Sequence, residues 1–135
     1  SIGLWNLTVS RIKESQTRMD LETLAFDISD QLIKSQGLPT TWEDDTSKIF
    51  SLGLAKENYV LDAKKVSTFI AMNYQQTKDL LGVSNYNYKF RIIALNGTVL
   101  KESGLNPADA TQAIVTARNV LYEGYVVKME FGLWV

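Results

Sequence analysis

The chain has 135 residues, of which 45% are hydrophobic and 21% charged, and this composition is ordinary for one folded domain with its own core. Its 14 basic and 15 acidic residues leave a net charge of −1, so no broad attraction to nucleic acid or to an anionic membrane is expected. It has no histidine and no cysteine, which excludes Ser-His-Asp and Cys-His catalysis and the usual zinc sites. We therefore expect a structural or binding role.

Residues 2–34 predict one long amphipathic helix. Its first half carries a narrow stripe at alternating spacings of three and four, formed by Ile2, Trp5, Val9 and Ile12. After Met19 the stripe shifts and broadens, over Leu21, Leu24, Ala25, Ile28, Leu32 and Ile33. A broad apolar face docks on a core, whereas a narrow one needs only a partner helix. The first half is thus expected to project or to pack on another copy, unless its turns merely fray at the terminus.

A loop follows the predicted helix. Gly37 accepts a left-handed conformation and Pro39 cannot continue a helix, so together they are expected to stop it. Residues 38–45 then form a loop in which Trp42 is the aromatic anchor. Residues 49–54 form a short apolar run that fits either a strand or an irregular extended segment.

Two short helices are predicted in the middle of the chain. Asp62 is a suitable N-cap for a helix over residues 63–71, in which apolar residues form one face. A second helix covers residues 74–81 and ends at Gly82.

The last 50 or so residues predict two β-hairpins. Asn96-Gly97 lies between two β-rich runs and predicts a tight type I′ turn, and Glu123-Gly124 marks the second hairpin. In the last strand one face is formed by Val127, Met129, Phe131 and Leu133. The fold class is therefore α+β, with a long N-terminal amphipathic helix, short middle helices and a C-terminal antiparallel β-sheet. We expect a single domain in which residues 1–37 form a stalk and core helix and residues 38–135 an α+β head packed on it.

The densest acidic cluster is Glu43-Asp44-Asp45. Three carboxylates could hold Ca²⁺, but their spacing lacks the alternate ligands and the turn glycine of an EF-hand. A hydrated acidic loop is the favoured interpretation, with all three side chains pointing into water. No cofactor and no metal site are predicted.

The aromatic cluster Tyr86, Tyr88 and Phe90 lies beside Lys89 and Arg91, a combination that some base-stacking sheets use. Two basic residues supply little charge for such a role, so core or cross-strand packing is favoured and no nucleic-acid partner is expected. The sequence also lacks glycine-rich phosphate motifs and a Gly-x-Ser-x-Gly elbow, so catalysis is not expected.

Two N-x-S/T sequons make Asn6 and Asn96 candidate glycosylation sites. They would be acceptors only in an exported chain, and either could occur by chance. The chain begins at Ser1 without an initiator methionine, so we expect a processed product or a fragment of a longer protein.

Four short motifs occur in a recognisable order: Gly37-Leu-Pro-Thr-Thr-Trp42, Gly53-Leu-Ala55, Lys78-Asp-Leu-Leu-Gly82 and Tyr88-Lys-Phe-Arg-Ile92. The closing Ala117-Arg-Asn-Val-Leu-Tyr-Glu-Gly124 fits the same pattern. The arrangement resembles the archaeal pilin-like proteins of the type IV pilin superfamily and covers most of residues 20–135. The processing site and the strongly apolar assembly helix of that family are missing, and the resemblance implies that they lie upstream of Ser1.

The resemblance implies an extracytoplasmic domain at the cell surface or in a pilus, with no cofactor and no catalytic residue. Its partners would be other pilin-like subunits or surface proteins, and an upstream helix would anchor it to the membrane. A membrane-anchored relative that never polymerises would have the same head. Our leading hypothesis is a non-enzymatic exported structural domain; the alternatives are a soluble ligand- or partner-binding α+β module and, last, a small carboxylate-based hydrolase.

Overall fold

The computed structural model describes the backbone of residues 2–135 and the side chains of residues 16–135. Three α-helices and six strands follow one another along the chain, with two short 3₁₀ turns at Trp42–Asp44 and Thr46–Lys48. Their order is α1 (Ile2–Lys34), β1 (Ala55–Glu57), β2 (Val60–Leu61), α2 (Ala63–Ala71), α3 (Tyr74–Leu81), β3 (Asn87–Ala94), β4 (Val99–Gly104), β5 (Ala113–Tyr122) and β6 (Tyr125–Trp134).

The six strands form one curled sheet in the order β1-β2-β5-β6-β3-β4. The α+β class and the C-terminal antiparallel strands are confirmed, but the sheet as a whole is mixed. The short strand β2 lies parallel to β5, with Val60 opposite Leu121. A parallel pair needs a long crossover between its strands, and α2, α3 and the β3–β4 hairpin supply it here.

The helices cover one face of the sheet, which carries the core. The predicted inward face of β6 is confirmed, since Val127, Met129, Phe131 and Leu133 are all buried. The last part of α1 packs over β5 and β6, while α2 lies nearer β4.

The helix α1 is not amphipathic in the way that the sequence predicted. Within residues 16–34, the buried side chains of the helix are Leu21, Ala25, Ile28, Ser29, Leu32 and Ile33. Met19 and Phe26 point away from this core and are 58% and 55% exposed. Each helical residue turns by about 100°, which places these two side chains about 100–120° around the helix from the middle of the docked side. The apolar residues of α1 are therefore distributed around its axis.

The end of α1 packs closely against the following loop. The helix ends at Lys34, three residues before Gly37, which has a φ of +84°. A Cβ at Gly37 would lie 2.5 Å from the Trp42 ring, so the glycine makes room for the ring. The ring is fully buried, and its Nε1 donates a hydrogen bond of 2.9 Å to the Gly53 carbonyl. A Cβ at Gly53 would in turn lie 2.2 Å from the Ser35 carbonyl oxygen. Trp42 is thus the predicted anchor of the loop.

Residues 49–54 form an irregular extended segment rather than a regular strand. A single bridge joins Ser51 to Leu38, and Leu52 and Leu54 enter the core. The segment therefore closes the core beside the end of α1 and leads directly into β1.

Both short middle helices are confirmed with the predicted bounds. The Asp62 carboxylate accepts the backbone N–H of Lys65 at 3.0 Å and caps α2. Gly82 closes α3 in the left-handed conformation, with a φ of +74°.

The β3–β4 hairpin is confirmed, but its turn is not the predicted type I′ turn. Gly97 N–H donates to the Ala94 carbonyl at 2.9 Å, and Ala94 N–H donates to the Thr98 carbonyl at 2.8 Å. Gly97 has a φ of +92°, whereas Asn96 does not adopt a positive φ. The loop thus has three residues and ends in a left-handed glycine, which is the next most common hairpin geometry.

The β5–β6 hairpin is also confirmed, and it contains the type I′ turn. Glu123 and Gly124 have φ values of 51° and 85° and lie between the paired residues Tyr122 and Tyr125. Both central residues of a type I′ turn need a positive φ, so the two-residue loop matches the twist of its strands.

Candidate functional site

The outward face of α1 carries a row of exposed side chains. These are Gln16, Met19, Thr23 and Phe26, spaced by three, four and three residues. Such spacing keeps side chains on one side of a helix and is the pattern by which helices meet partner helices or grooves. We call these four residues the outward stripe.

The outward stripe continues the spacing of the predicted packing surface. That surface, Ile2, Trp5, Val9 and Ile12, lies outside the residues whose side chains the structure describes, and so does the sequon residue Asn6. In the sequence, however, the interval from Ile12 to Gln16 is four residues, so the alternation is unbroken. The predicted broad face, from Leu21 to Ile33, does contact the core.

Acidic residues flank the outward stripe on both sides. Asp20, Glu22 and Asp27 are exposed, and none of them forms an ion pair within residues 16–135. Phe26 itself lies with its ring 5.4 Å from the Arg118 guanidinium and remains about half exposed. The stripe thus holds two exposed apolar side chains, Met19 and Phe26, among acidic neighbours, with the exposed Arg18 four residues before Glu22.

Asp30 ties the same helix to the sheet. Its carboxylate lies 3.1 Å from Lys34 Nζ and 3.1 Å from the Arg118 guanidinium on β5. The Lys34 hydrogen bond is the largest influence on Asp30 and, with Arg118, holds the pKa of this carboxyl below its usual value despite an opposing effect of desolvation. Asp30 follows Phe26 by four residues, so at this end of α1 the line of the outward stripe runs against β5.

A second exposed apolar surface lies around the turns of the two hairpins. It consists of Leu95, Leu100, Tyr125 and Val126, which we call the sheet tip. Leu95 and Tyr125 are about three-quarters exposed, and the side chains border a shallow groove of about 750 Å³. Contiguous exposed apolar residues of this kind are typical of interaction surfaces.

Two lysines lie near the sheet tip. Lys101 lines the groove, whereas Lys128 lies on the other face of the sheet, since Lys101 pairs with Ile92 and Lys128 with Ile93. Both are exposed, and neither forms an ion pair with another side chain that the structure describes. The charge at the groove is mixed, because the exposed carboxylate of Glu123 also lines it.

The sheet tip and the start of α1 lie at opposite ends of the sheet. The Ile33 carbonyl, at the end of α1, accepts a hydrogen bond from Tyr59 N–H, and the Tyr59 carbonyl accepts one from Leu121 N–H near the tip. Earlier in α1, Asp20 lies beside Tyr86, next to the start of β3. The tip is thus at the end where α1 stops.

The acidic loop is not the hydrated cluster that the sequence predicted. The Glu43 carboxylate accepts a hydrogen bond of 2.7 Å from Lys65 Nζ, and the two side chains are only 10% and 5% exposed. Lys65 Nζ also donates to the Thr40 carbonyl and lies 5.5 Å from the Trp42 ring. The prediction that all three carboxylates point into water is therefore wrong for Glu43, because the fold brings a lysine from α2 against it.

The other two carboxylates of this loop have separate partners. Asp44 pairs with Lys64, and both side chains are more than half exposed. Asp45 accepts hydrogen bonds from the Ser47 hydroxyl and backbone N–H, which lower the pKa of its carboxyl. The three carboxylates thus diverge, and within residues 16–135 no group of three acidic side chains could hold a metal ion.

The aromatic residues of β3 belong to the core, as the sequence analysis favoured. Tyr88 and Phe90 are buried, and the Phe69 ring of α2 lies 5.0 Å from that of Phe90 in an edge-on arrangement. Arg91 faces the other side of the sheet and pairs with Glu130 at 2.6 Å. The buried rings are therefore not available to stack on bases.

The uncovered face of the sheet has a smaller groove beside Trp134, with a volume of about 270 Å³. Its four charged side chains are already paired, Arg91 with Glu130 and Lys89 with Glu102. The groove therefore presents no unpaired charge to a ligand.

The sequon residue Asn96 is exposed in the β3–β4 turn. Its side-chain oxygen accepts the Thr98 backbone N–H at 3.0 Å, which fixes the side chain at the rim of the sheet tip. Its exposure would admit a glycan.

Comparisons with protein-family models, curated proteins and solved structures find no match to this chain. Among the described helices, none is both long enough and apolar enough to cross a membrane.

Proposed function

We propose that this chain is a non-enzymatic, exported structural domain of the pilin-like kind, which works by packing against other protein subunits. The observation that carries the proposal is the outward stripe on α1. This helix buries one side against its own sheet, while Met19 and Phe26 outside that contact remain 58% and 55% exposed, with the Phe26 ring beside Arg118. Exposed apolar side chains aligned on a helix are a feature of surfaces that contact other proteins.

The sheet would keep this helix in a fixed orientation. Leu21, Ile28 and Leu32 dock α1 in the core, and the contact between Asp30 and Arg118 fixes its rotation. The outward stripe is thereby presented in a constant orientation, which reduces the entropic cost of binding.

The partners would be other pilin-like subunits or surface proteins, and the site of action would be the cell surface or a pilus. The support for this part is the family resemblance of residues 20–135. Membrane attachment would come from a helix upstream of this chain, and Asn6 and Asn96 would be the glycan acceptors.

A single introduced thiol tests both export and packing, because the chain has no cysteine of its own. Met19→Cys is made in the full-length protein and expressed in the cell it comes from. Intact cells are treated with a membrane-impermeant maleimide and, separately, with a mild oxidant or a short thiol-to-amine cross-linker. We expect labelling of intact cells and cross-linked products that contain a second subunit or a surface protein.

Ala25→Cys is the matched control, because Ala25 lies on the same helix but is fully buried against the sheet. It should be neither labelled nor cross-linked in the folded protein. Labelling of Met19→Cys only after the cells are lysed would contradict export. Labelling without any cross-linked product would contradict packing through α1.

A further inference from the structure

The groove beside Trp134 surrounds a strand position that has no side chain. Gly132 lies on the uncovered face of β6, between Glu130 and Trp134 on the same strand, with Lys89 of β3 and Val115 of β5 beside it. All five residues line the groove. The groove therefore lies where a side chain at position 132 would stand.

The backbone does not require glycine at this position. Gly132 does not adopt a positive φ, and its pairing with β3 and β5 continues without a bulge. A Cβ there would lie 3.5 Å from its nearest neighbours, the Ile114 carbonyl oxygen and a Val115 methyl group, which is an ordinary contact. A glycine inside a strand weakens it and often marks a bulge, a bend or the close approach of a ligand. With the register regular and room for a Cβ, the approach of a ligand accounts for this glycine.

The charged side chains around the groove favour a neutral ligand. Two are basic and two are acidic, and they form the pairs Arg91–Glu130 and Lys89–Glu102. An anion would meet two carboxylates, and a cation would meet an ammonium and a guanidinium group. Like charges at close range oppose binding, so a ligand without net charge fits the groove best.

The Arg91–Glu130 pair retains hydrogen-bonding capacity. Arg91 Nε and Nη2 both donate to Glu130 Oε1, at 3.0 Å and 2.6 Å. Within residues 16–135, this arrangement leaves Glu130 Oε2 as an acceptor and Arg91 Nη1 as a donor. A hydroxyl group both donates and accepts, so two neighbouring hydroxyls on one ligand can satisfy both atoms.

Trp134 adds an apolar surface to this polar groove. Its only polar side-chain atom, Nε1, already donates to the Leu105 carbonyl at 3.3 Å. The indole therefore offers the groove ring surface and no further hydrogen bond. A sugar ring has hydroxyls at its edge and C–H groups on its face, so it matches both the charged pairs and the indole.

We propose that the groove beside Trp134 binds one ring of a neutral sugar. The ring would lie over Gly132 and against Trp134, with two hydroxyl groups at Arg91 and Glu130. The groove volume of about 270 Å³ suits one ring rather than a longer ligand. The site is on the uncovered face of the sheet and not on α1, so this binding activity goes beyond the proposed packing role and does not depend on it.

The test is an NMR titration of the purified, isotope-labelled chain. Glucose, galactose, mannose and N-acetylglucosamine are added separately, each as the free sugar and as its methyl glycoside. The methyl glycosides of glucuronate and of protonated glucosamine are the charged comparisons. Titration extends to about 50 mM, because affinity for so small a ligand is expected in the millimolar range.

We expect the backbone signal of Gly132 and the indole N–H signal of Trp134 to shift with at least one neutral sugar, and less with both charged ones. The methyl group stands where a glycan would continue. A response to the methyl glycoside therefore assigns the site to the end ring of a glycan, and a response to the free sugar alone assigns it to a small sugar.

Two substitutions alter the groove in different ways. Gly132→Val fills it and Trp134→Leu removes the ring, and each should weaken binding by about 10-fold or more. Ala117→Val is the matched control, because Ala117 is exposed on the same face, opposite Glu130, but does not line the groove. Thermal melting establishes that the variants are folded. A β-branched residue suits a strand, so Gly132→Val should lose binding without loss of thermal stability.

Glu130→Gln tests the role of the paired charges. It leaves the Arg91 guanidinium without its carboxylate. The variant should therefore bind the methyl glycoside of glucuronate more tightly than the neutral sugars, which reverses the order expected for the wild-type chain.

The absence of shifts with every neutral sugar would refute the proposal, and so would tighter binding of a charged sugar by the wild-type chain. Shifts that persist in both Gly132→Val and Trp134→Leu would place the binding elsewhere and overturn it too. None of these results bears on the proposed function, which Met19→Cys cross-linking on cells tests separately.

Discussion

Replacement of Glu43 by glutamine should be one of the most damaging single substitutions in the loop that follows α1. The substitution keeps the shape of the side chain but leaves the Lys65 ammonium, which is 5% exposed, without its carboxylate. The Thr40 carbonyl and the Trp42 ring remain as its partners, and neither carries a charge. Removing one member of a buried ion pair typically lowers the free energy of unfolding by about 3–5 kcal/mol, because the other charge stays buried and uncompensated.

The neighbouring pair of Asp44 and Lys64 provides a matched comparison. It lies one residue along the loop, but its side chains are 55% and 65% exposed. Solvent screens such a pair, so Asp44→Asn should lower the free energy of unfolding by about 1 kcal/mol or less. For a chain of this length 1 kcal/mol corresponds to about 3–5 °C in Tm, so Glu43→Gln should lower the Tm by about 10–20 °C.

The assay is thermal and urea-induced unfolding at pH 7, followed by circular dichroism. The double variant Glu43→Gln/Lys65→Met removes both charges and should recover a large part of the loss, because an apolar side chain can occupy the site without a partner. If Glu43→Gln is no more harmful than Asp44→Asn, the pair is not buried in solution and the reasoning is refuted.

Three further predictions concern the backbone and the pH dependence of stability. Gly97→Val should lower the free energy of unfolding by about 1–2 kcal/mol, because a β-branched residue resists the φ of +92°; an unchanged melting temperature would contradict the turn. Gly53→Ala should lower the free energy of unfolding by about 2 kcal/mol or more, because its Cβ would lie 2.2 Å from the Ser35 carbonyl oxygen. Urea unfolding measures this change, and an unchanged free energy of unfolding would contradict the close approach. Lys34 and Arg118 lower the pKa of Asp30 in the folded chain, so this carboxylate stabilises the fold above its ordinary pKa of 3.8, and the contribution is lost as the pH falls below that value. Asp30→Asn should therefore flatten the acid limb of a plot of Tm against pH between about pH 4 and pH 2 and leave its shape near neutrality unchanged; an unaltered acid limb would count against this contact.

Several elements were determined by the sequence alone, because their causes are local. The helix α2 begins at Asp62 because a carboxylate caps the N–H groups two or three residues later, and α3 ends at Gly82 because glycine accepts the left-handed conformation. The alternation in β6 gave the buried face correctly, because neighbouring strand residues point to opposite sides.

Other features depend on residues far apart in the chain. Lys65 lies 22 residues from Glu43, and no spacing rule indicates that α2 would deliver it to the acidic loop. The parallel pairing of β2 with β5 is a second example, since more than 50 residues separate the two strands. The sequence of each strand does not indicate which strand will lie beside it.

In the helix α1, some features follow from the sequence and others from packing. Its sequence contained both apolar stripes, since Met19 and Phe26 continue the alternating spacing of Ile12 while Leu21, Ile28 and Leu32 form the other row. Periodicity specifies that two rows exist and that they lie on different sides of the helix. Only the packing of the sheet decided which row is buried, because the contact of Asp30 with Arg118 and the shape of the core select one rotation of the helix. The row that the core left uncovered is the surface that the proposed function requires.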